Sequence, residues 1–327
     1  MATVLVTGGA GYVGSHACKA LAAAGHMPVV FDNFSTGWRD AVQFGPVFEG
    51  DLLNPEDLAR AFAEHTPDAV MHFAAFSNVG ESVQKPDLYW RNNVSGSLNL
   101  FTAAQQAGVK AVVFSSTCAT YGEAAGDTLT EDDPQVPVNP YGRTKLAVEM
   151  LLRDFHDAFE IRSVIFRYFN AAGADPDRRI GEDHRPETHL IPLVLDAASG
   201  RRDTISIFGT DYPTPDGTCI RDYIHVDDLA SAHVLGLDWL LNGGEPLRLN
   251  LGTGHGFSVR DVIDTAKRVT GTDIPTVETD RRAGDPPQLI SGSGKAGEVL
   301  GWKPERSDLA SMIGDAWGWH QMPRYER

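Results

Sequence analysis

Tyr141 and Lys145 stand four residues apart in Pro140-Tyr141-Gly142-Arg143-Thr144-Lys145, a spacing that puts a phenol and an ammonium on one helix face. Asn139-Pro140 reads as an N-cap followed by proline at the first helical position, so Tyr141 falls in the first turn. A free phenol titrates near ~10 and is a poor base at neutral pH. Lowering that value by about three units takes roughly 4 kcal/mol, within reach of two nearby cations in a dry site. Thr117, which closes Ser115-Ser116-Thr117 upstream, adds a hydroxyl able to bond both a substrate hydroxyl and Tyr141. The chemistry on offer is removal of a proton from a hydroxyl.

A second set of residues suits a dinucleotide. Thr7-Gly8-Gly9-Ala10-Gly11-Tyr12-Val13-Gly14 follows a strand-like run and opens a helical one. Gly8, Gly11 and Gly14 allow a tight turn and close approach of a pyrophosphate to the helix N-terminus. Asp32 ends the next strand, 18 residues beyond Gly14, where a carboxylate accepts the ribose hydroxyls of NAD and repels a 2′-phosphate. The competing reading is a turn-initiating aspartate before Asn33. Asp51, in Glu49-Gly50-Asp51-Leu52, is a candidate for the adenine amine or a plain loop aspartate.

Strands and helices must alternate to bring these residues together. Strand-like runs cover Thr3–Thr7, Pro28–Asp32, Ala69–His72, Ala111–Ser115 and Ile161–Arg167, and amphipathic stretches cover Ser15–Ala24, Pro55–Glu64, Pro86–Ala107 and Pro140–Phe159. The strands are apolar throughout, as a sheet covered on both faces requires. The pattern predicts an α/β fold with a doubly wound parallel sheet, a Rossmann domain over residues 1–170 with return elements around 222–252. Beyond residue 171 the chain becomes irregular between helical runs at Leu190–Ser199, Val226–Leu241 and Ser258–Thr270, which predicts a smaller, discontinuous α/β substrate domain over 171–327.

Composition narrows the partners. The 327 residues carry 28 Lys+Arg against 44 Asp+Glu, a net charge of −16. That excess argues against nucleic acid or an anionic membrane as the main partner, while a few local arginines suffice for a small phosphate ligand. Cys18, Cys118 and Cys219 form no C-x-x-C, so neither a disulfide framework nor a metal site is expected, and a reducing cytoplasm is the default. The chain starts directly in a strand-like run without a basic leader, and no apolar run reaches the ~18 residues of a membrane helix.

The glycine motif, Ser115-Ser116-Thr117 and Tyr141-x-x-x-Lys145 together resemble the extended short-chain dehydrogenase/reductase family. Further stretches resemble its UDP-glucose 4-epimerase branch: His72-Phe73-Ala74-Ala75, Val79-Gly80-Glu81-Ser82-Val83, Arg167-Tyr168-Phe169-Asn170-Ala171-Ala172-Gly173, Ile207-Phe208-Gly209-Thr210-Asp211-Tyr212-Pro213-Thr214 and Arg221-Asp222-Tyr223-Ile224-His225-Val226. The likeness runs from Val4 to about Trp319 and implies tightly bound NAD, a UDP-sugar substrate and a homodimer. Tyr141 would then be the base, Lys145 its tuner and a nicotinamide-ribose ligand, and Thr117 the hydroxyl partner. The NAD ligands would be Tyr12, Val13, Asp32, Asn33, Asp51, Leu52, Phe73, Ala74, Ala75, Asn92 and Phe169, with Gly8, Gly11 and Gly14 beneath the pyrophosphate.

On the substrate side the resemblance implies Asn170, His189, Phe208, Arg221, Arg282 and Asp285, with Phe208 on the uracil and the arginines forking onto the diphosphate. Leu289, seven positions beyond Arg282, would face the sugar C2 substituent or be simply a buried strand residue. The branch's common pattern is broken twice, by Ser77 in place of lysine and by His189 in place of asparagine. His189 can still donate to a diphosphate oxygen or be structural. Leu98, Phe101, Leu151 and Phe155 are candidates for an outward dimer face or for core.

A 4,6-dehydratase places acidic residues after the threonine, whereas Cys118-Ala119-Thr120-Tyr121-Gly122 defers the first carboxylate to Glu123. A non-catalytic dinucleotide-binding regulator does not need the intact Thr117, Tyr141 and Lys145. The preferred reading is a UDP-galactose/UDP-glucose 4-epimerase acting through a transient 4-keto sugar, with N-acetylhexosamines or pentoses as alternative sugars.

Overall fold

The computed structural model describes every residue except 123–125, 127, 283, 284, 293, 323 and 327, so Glu123 lies outside the described residues. Seven parallel strands form the main sheet: β1 (Thr3–Thr7), β2 (Met27–Asp32), β3 (Val47–Glu49), β4 (Ala69–His72), β5 (Ala111–Thr117), β6 (Arg162–Tyr168) and, after the short β7 (Asn170–Ala172), β8 (Ile205–Phe208) and β9 (Ile220–His225), the returning β10 (Leu247–Leu251). Their order is β10-β6-β5-β4-β1-β2-β3. The order reverses between β1 and β4, and ligands of open α/β sheets bind at such a switch point.

Both faces of the sheet are covered. Val4, Val6, Val113 and Phe166 face Ala17, Leu21 and Leu237 of the helices Tyr12–Ala23 and Val226–Leu241. Leu5, Val70, Val112 and Ile165 face Leu58, Phe62, Leu100 and Leu152 on the other side. This accounts for the uninterrupted apolar strands. Helix starts follow the local chemistry: the Asn54 and Asn139 side chains accept hydrogen bonds from Glu56 and Gly142 N–H, each ahead of a proline.

The stretch from Pro86 is not the single α-helix that its pattern predicts. A π-helical turn over Trp90–Ser95 separates Pro86–Tyr89 from Gly96–Gln106. Asn93 inside that turn anchors it by bonding Phe76 N–H, Phe76 C=O and the Thr144 hydroxyl. Such turns concentrate at functional sites. Phe101 is fully buried, Leu151 and Phe155 pack partly buried on the same core, and Leu98 is exposed.

The second lobe joins β7 and β9 to β11 (Gly256–Ser258) and β13 (Gln288–Leu289), and pairs β8 with β12 (Thr276–Thr279). Its core gathers Ile191, Val194, Leu195, Val262, Ile263, Met312 and Ile313. Among the described residues, no helix is long and apolar enough to cross a membrane.

Candidate active site

The strand ends at the switch point form a cradle. Gly8 has a φ of +73°, and a Cβ there would meet Ala74 N at 2.6 Å; at Gly14 a Cβ would meet the Gly8 carbonyl oxygen at 2.1 Å. Only glycine fits where the loop folds this tightly against the end of β4. Gly11 and Val13 are half-buried at the start of the following helix. The Tyr12 hydroxyl donates to Gly173 C=O at 2.7 Å, tying the loop to the chain that leaves the main sheet.

Asp32 is buried at the end of β2 and accepts hydrogen bonds from Ala10 N–H (3.0 Å) and Phe34 N–H (2.9 Å). Burial raises its carboxyl above the usual range while those bonds oppose the rise. Asp51 accepts from the Asn33 side-chain amide at 3.2 Å and from Leu53 N–H at 2.8 Å, so Asn33 and Asp51 stand side by side. Leu52 is buried beside them. Phe73 lies with its ring centre 4.9 Å from that of His233, Ala74 N–H bonds Thr7 C=O at 3.1 Å, and Ala75 is half-buried. Asn92 donates to Asn93 at 3.0 Å, and Ser77 is exposed. The cradle fits a dinucleotide: glycines without side chains form its tightest turn, and the buried Asp32 carboxylate stands at the end of the neighbouring strand.

Lys145 is buried one helical turn beyond Tyr141, where its Nζ donates to Ser115 C=O at 2.8 Å and sits 4.9 Å from the Phe114 ring centre. Burial, opposed by Glu149, pulls its ammonium down to about 7. Burial pushes the Tyr141 phenol above its ordinary value, and the hydrogen bond with Thr117 works against that. The expectation from the sequence is that Lys145 and a second nearby cation lower the phenol together. In the structure the Lys145 ammonium is bonded to the Ser115 carbonyl at the end of β5. Thr117 is buried, and its hydroxyl oxygen accepts from Ala119 N–H at 3.1 Å.

Behind these groups lies an ion pair that sequence reasoning missed. The Arg167 guanidinium meets the Glu149 carboxylate at 2.7 Å, both buried, and Glu149 also accepts from Ser116 at 2.5 Å. Arg167 donates to the Tyr121 hydroxyl at 2.9 Å, which donates on to Asn250 at 2.6 Å. Glu149 continues the four-residue spacing from Tyr141 and Lys145, and that was the available signal.

The residues expected on the substrate side come from the second lobe. Arg221 in β9 is opposite Leu289 of β13 and forms an ion pair with Asp285. The Arg282 guanidinium lies over the Phe208 ring. Asn170 pairs with Tyr223 across β7 and β9. Phe169 is buried with Tyr121 and Leu129, and Cys118 and Leu289 pack against that cluster. This contact brings the residue after Thr117 together with the strand that faces Arg221, so Leu289 is half-buried at the junction of the two sets.

His189 precedes the helix Leu190–Ala198 without capping it through its side chain, and its Nδ1 lies 2.6 Å from the Glu182 carboxylate. Against the penalty of burial, Glu182 and Glu187 raise it to about 10.

Residues 4–252 match the model of the NAD dependent epimerase/dehydratase family. The chain belongs to that family. This epimerase/dehydratase family member is 53% identical over 318 residues to the UDP-glucose 4-epimerase of Rhizobium leguminosarum bv. trifolii, covering 97% of each chain. It is similar to the UDP-glucose 4-epimerase of Brucella ovis solved in complex with NAD, with a TM-score of 0.95, 49% identity and coverage of 97% of this chain and 98% of that one. It is also similar to the Bifidobacterium longum UDP-glucose 4-epimerase solved with NAD+ and UDP, with a TM-score of 0.92, 37% identity and the same coverages.

Proposed function

We propose that the protein is an NAD-dependent UDP-hexose 4-epimerase that interconverts UDP-galactose and UDP-glucose. One observation carries the reading: the Phe169, Cys118 and Leu289 cluster joins the Thr117–Tyr141–Lys145 base set to the lobe bearing Phe208, Arg221 and Arg282. A base set alone serves any dehydrogenase of this fold; joined to an aromatic platform and two guanidinium groups, it serves a nucleotide sugar.

Gly8, Gly11, Tyr12, Val13, Gly14, Asp32, Asn33, Asp51, Leu52, Phe73, Ala74, Ala75, Asn92, Lys145 and Phe169 hold NAD, which supplies reversible redox chemistry at the sugar C4. Tyr141 takes the proton of the 4-hydroxyl and later returns it. Thr117 orients that hydroxyl, and Lys145 fixes the base against β5. Phe208, Asn170, Arg221 and Arg282 keep hold of the UDP while the 4-keto sugar turns over, and Asp285 sets the direction of Arg221.

The test is incubation with UDP-galactose and no added NAD. UDP-glucose is expected to form without stoichiometric NADH. Accumulating NADH would make the protein a dehydrogenase, and a 4-keto-6-deoxy product would make it a dehydratase.

A homodimer through the helices around Trp90–Gln106 and Pro140–Phe159 is part of this proposal. Trp90, Leu98 and Met150 there are more than 40% exposed, an apolar face suited to a second copy. Sedimentation should give twice the chain mass, and Leu98→Glu should reduce it to the chain mass.

A further inference from the structure

Glu182, His184, Glu187 and His189 lie within eight residues of chain, between β7 and the helix Leu190–Ala198. One donor atom from each falls within 4.8 Å of all the others. The Glu182 oxygen is 3.0 Å from His184 Nδ1 and 2.6 Å from His189 Nδ1. The Glu187 oxygens are 3.7 Å and 3.3 Å from the same two nitrogens. Four donors at ~2.0–2.1 Å around a tetrahedral zinc ion are separated by about 3.3 Å, and the observed separations straddle that figure.

The surroundings leave this cluster to itself. Neighbouring guanidinium groups are taken by other carboxylates: Arg185 pairs with Asp183, Arg201 with Asp196, and Arg324 with both. Among the described residues, the ion-pair partners of Glu182 and Glu187 are His184 and His189. Both carboxylates are at least nine-tenths buried, so they carry two negative charges into a site with two imidazoles and no fixed cation. Glu182, His184 and Glu187 line a partly open surface cleft together with His320, which provides an entry path.

We propose that Glu182, His184, Glu187 and His189 form a binding site for a divalent transition-metal ion, zinc by preference. Two imidazole nitrogens with two carboxylates suit zinc, whereas magnesium and calcium take oxygen alone. The preorganisation is visible: Glu187 is held by Thr188 N–H (2.6 Å) and His189 N–H (2.8 Å). The His184 ring also stands edge-on to Tyr12, 6.3 Å between centres, so the ion would brace the loop that carries the dinucleotide cradle. The expectation of no metal site rested on cysteine spacing alone, and this site uses no cysteine.

The test uses untagged full-length protein, dialysed against zinc and then against metal-free buffer, with metal counted by emission spectroscopy. The expected result is at least half a zinc per chain in wild type and less than a tenth in the His184→Ala/His189→Ala double variant, with equal circular dichroism. Any other distribution overturns the site. Should the double variant misfold, the visible spectrum of cobalt(II)-loaded wild type decides. Strong tetrahedral bands support the site; weak octahedral bands or no uptake overturn it.

Discussion

The Arg282 guanidinium lies 3.9 Å from the centre of the Phe208 ring. The two residues expected to grip the diphosphate and stack on the uracil therefore lie against each other. Arg282 is exposed, so the contact is worth only about 0.5–1 kcal/mol, small beside base stacking at roughly 1–3 kcal/mol. Phe208→Ala should weaken UDP binding by about 5- to 150-fold, measured by calorimetry. Unchanged affinity would remove Phe208 from the nucleotide site.

Tyr141→Phe should abolish epimerisation, because the 4-hydroxyl proton then has no base. The fold and copurifying NAD should survive, since one hydroxyl is lost and Lys145 keeps its bond to Ser115 C=O. Turnover within tenfold of wild type would show that another group takes the proton.

Asp32 should impose a preference for NAD over NADP, since its buried carboxylate would face a 2′-phosphate. Asp32→Ala should narrow that preference. Comparing the two dissociation constants in both proteins checks it, and equal or tighter NADP binding by wild type refutes it.

Burial draws Lys145 down to about 7, from the 10.5 of an exposed lysine. Between those values the unfolded chain binds more protons than the folded one, so stability should rise with pH there. The slope for one group is at most about 1.4 kcal/mol per pH unit. Lys145→Met should flatten the curve of unfolding free energy between pH 7 and 10, and an equally steep curve in the variant would assign the slope to other groups.

Leu289 is half-buried against Phe169 and Cys118, at the junction of the base set and the second lobe. Wild type should prefer UDP-glucose/galactose over N-acetyl sugars. Leu289→Ser should raise relative activity on UDP-N-acetylglucosamine by about 10–200-fold, and Leu289→Tyr should lower it. The ratio of kcat/KM on the two sugars decides, and an unchanged ratio means the side chain does not face the sugar.

Residues that act through the backbone were the legible ones. The pattern located β1 and β4 and the helices Pro140–Phe159 and Val226–Leu241 at their observed ends, because apolar runs, Asn-Pro caps and glycine turns are local signals. The π-helical turn at Trp90–Ser95 was not legible, since it depends on Asn93 reaching Phe76 and Thr144 across the fold. The Lys145 bond to Ser115 and the commitment of His189 to Glu182 were hidden for the same reason: the partner is chosen in three dimensions. Phe101 shows the limit of periodicity, which marks an apolar face without telling core from interface.

The strand β10 pairs with β6 although nearly eighty residues, part of the second lobe and the helix Val226–Leu241 among them, intervene. During synthesis the edge of β6, with Val164 and Phe166 in its core-facing row, therefore emerges long before the strand that covers it. A polypeptide stopped at residue 170 would expose an open backbone edge and lack Leu237 and Leu249 from its interior. The first half of the chain is thus no self-sufficient folding unit. An expressed fragment of residues 1–170 should self-associate, whereas a ribosome that has released residue 251 can hand over all seven strands with β6 covered.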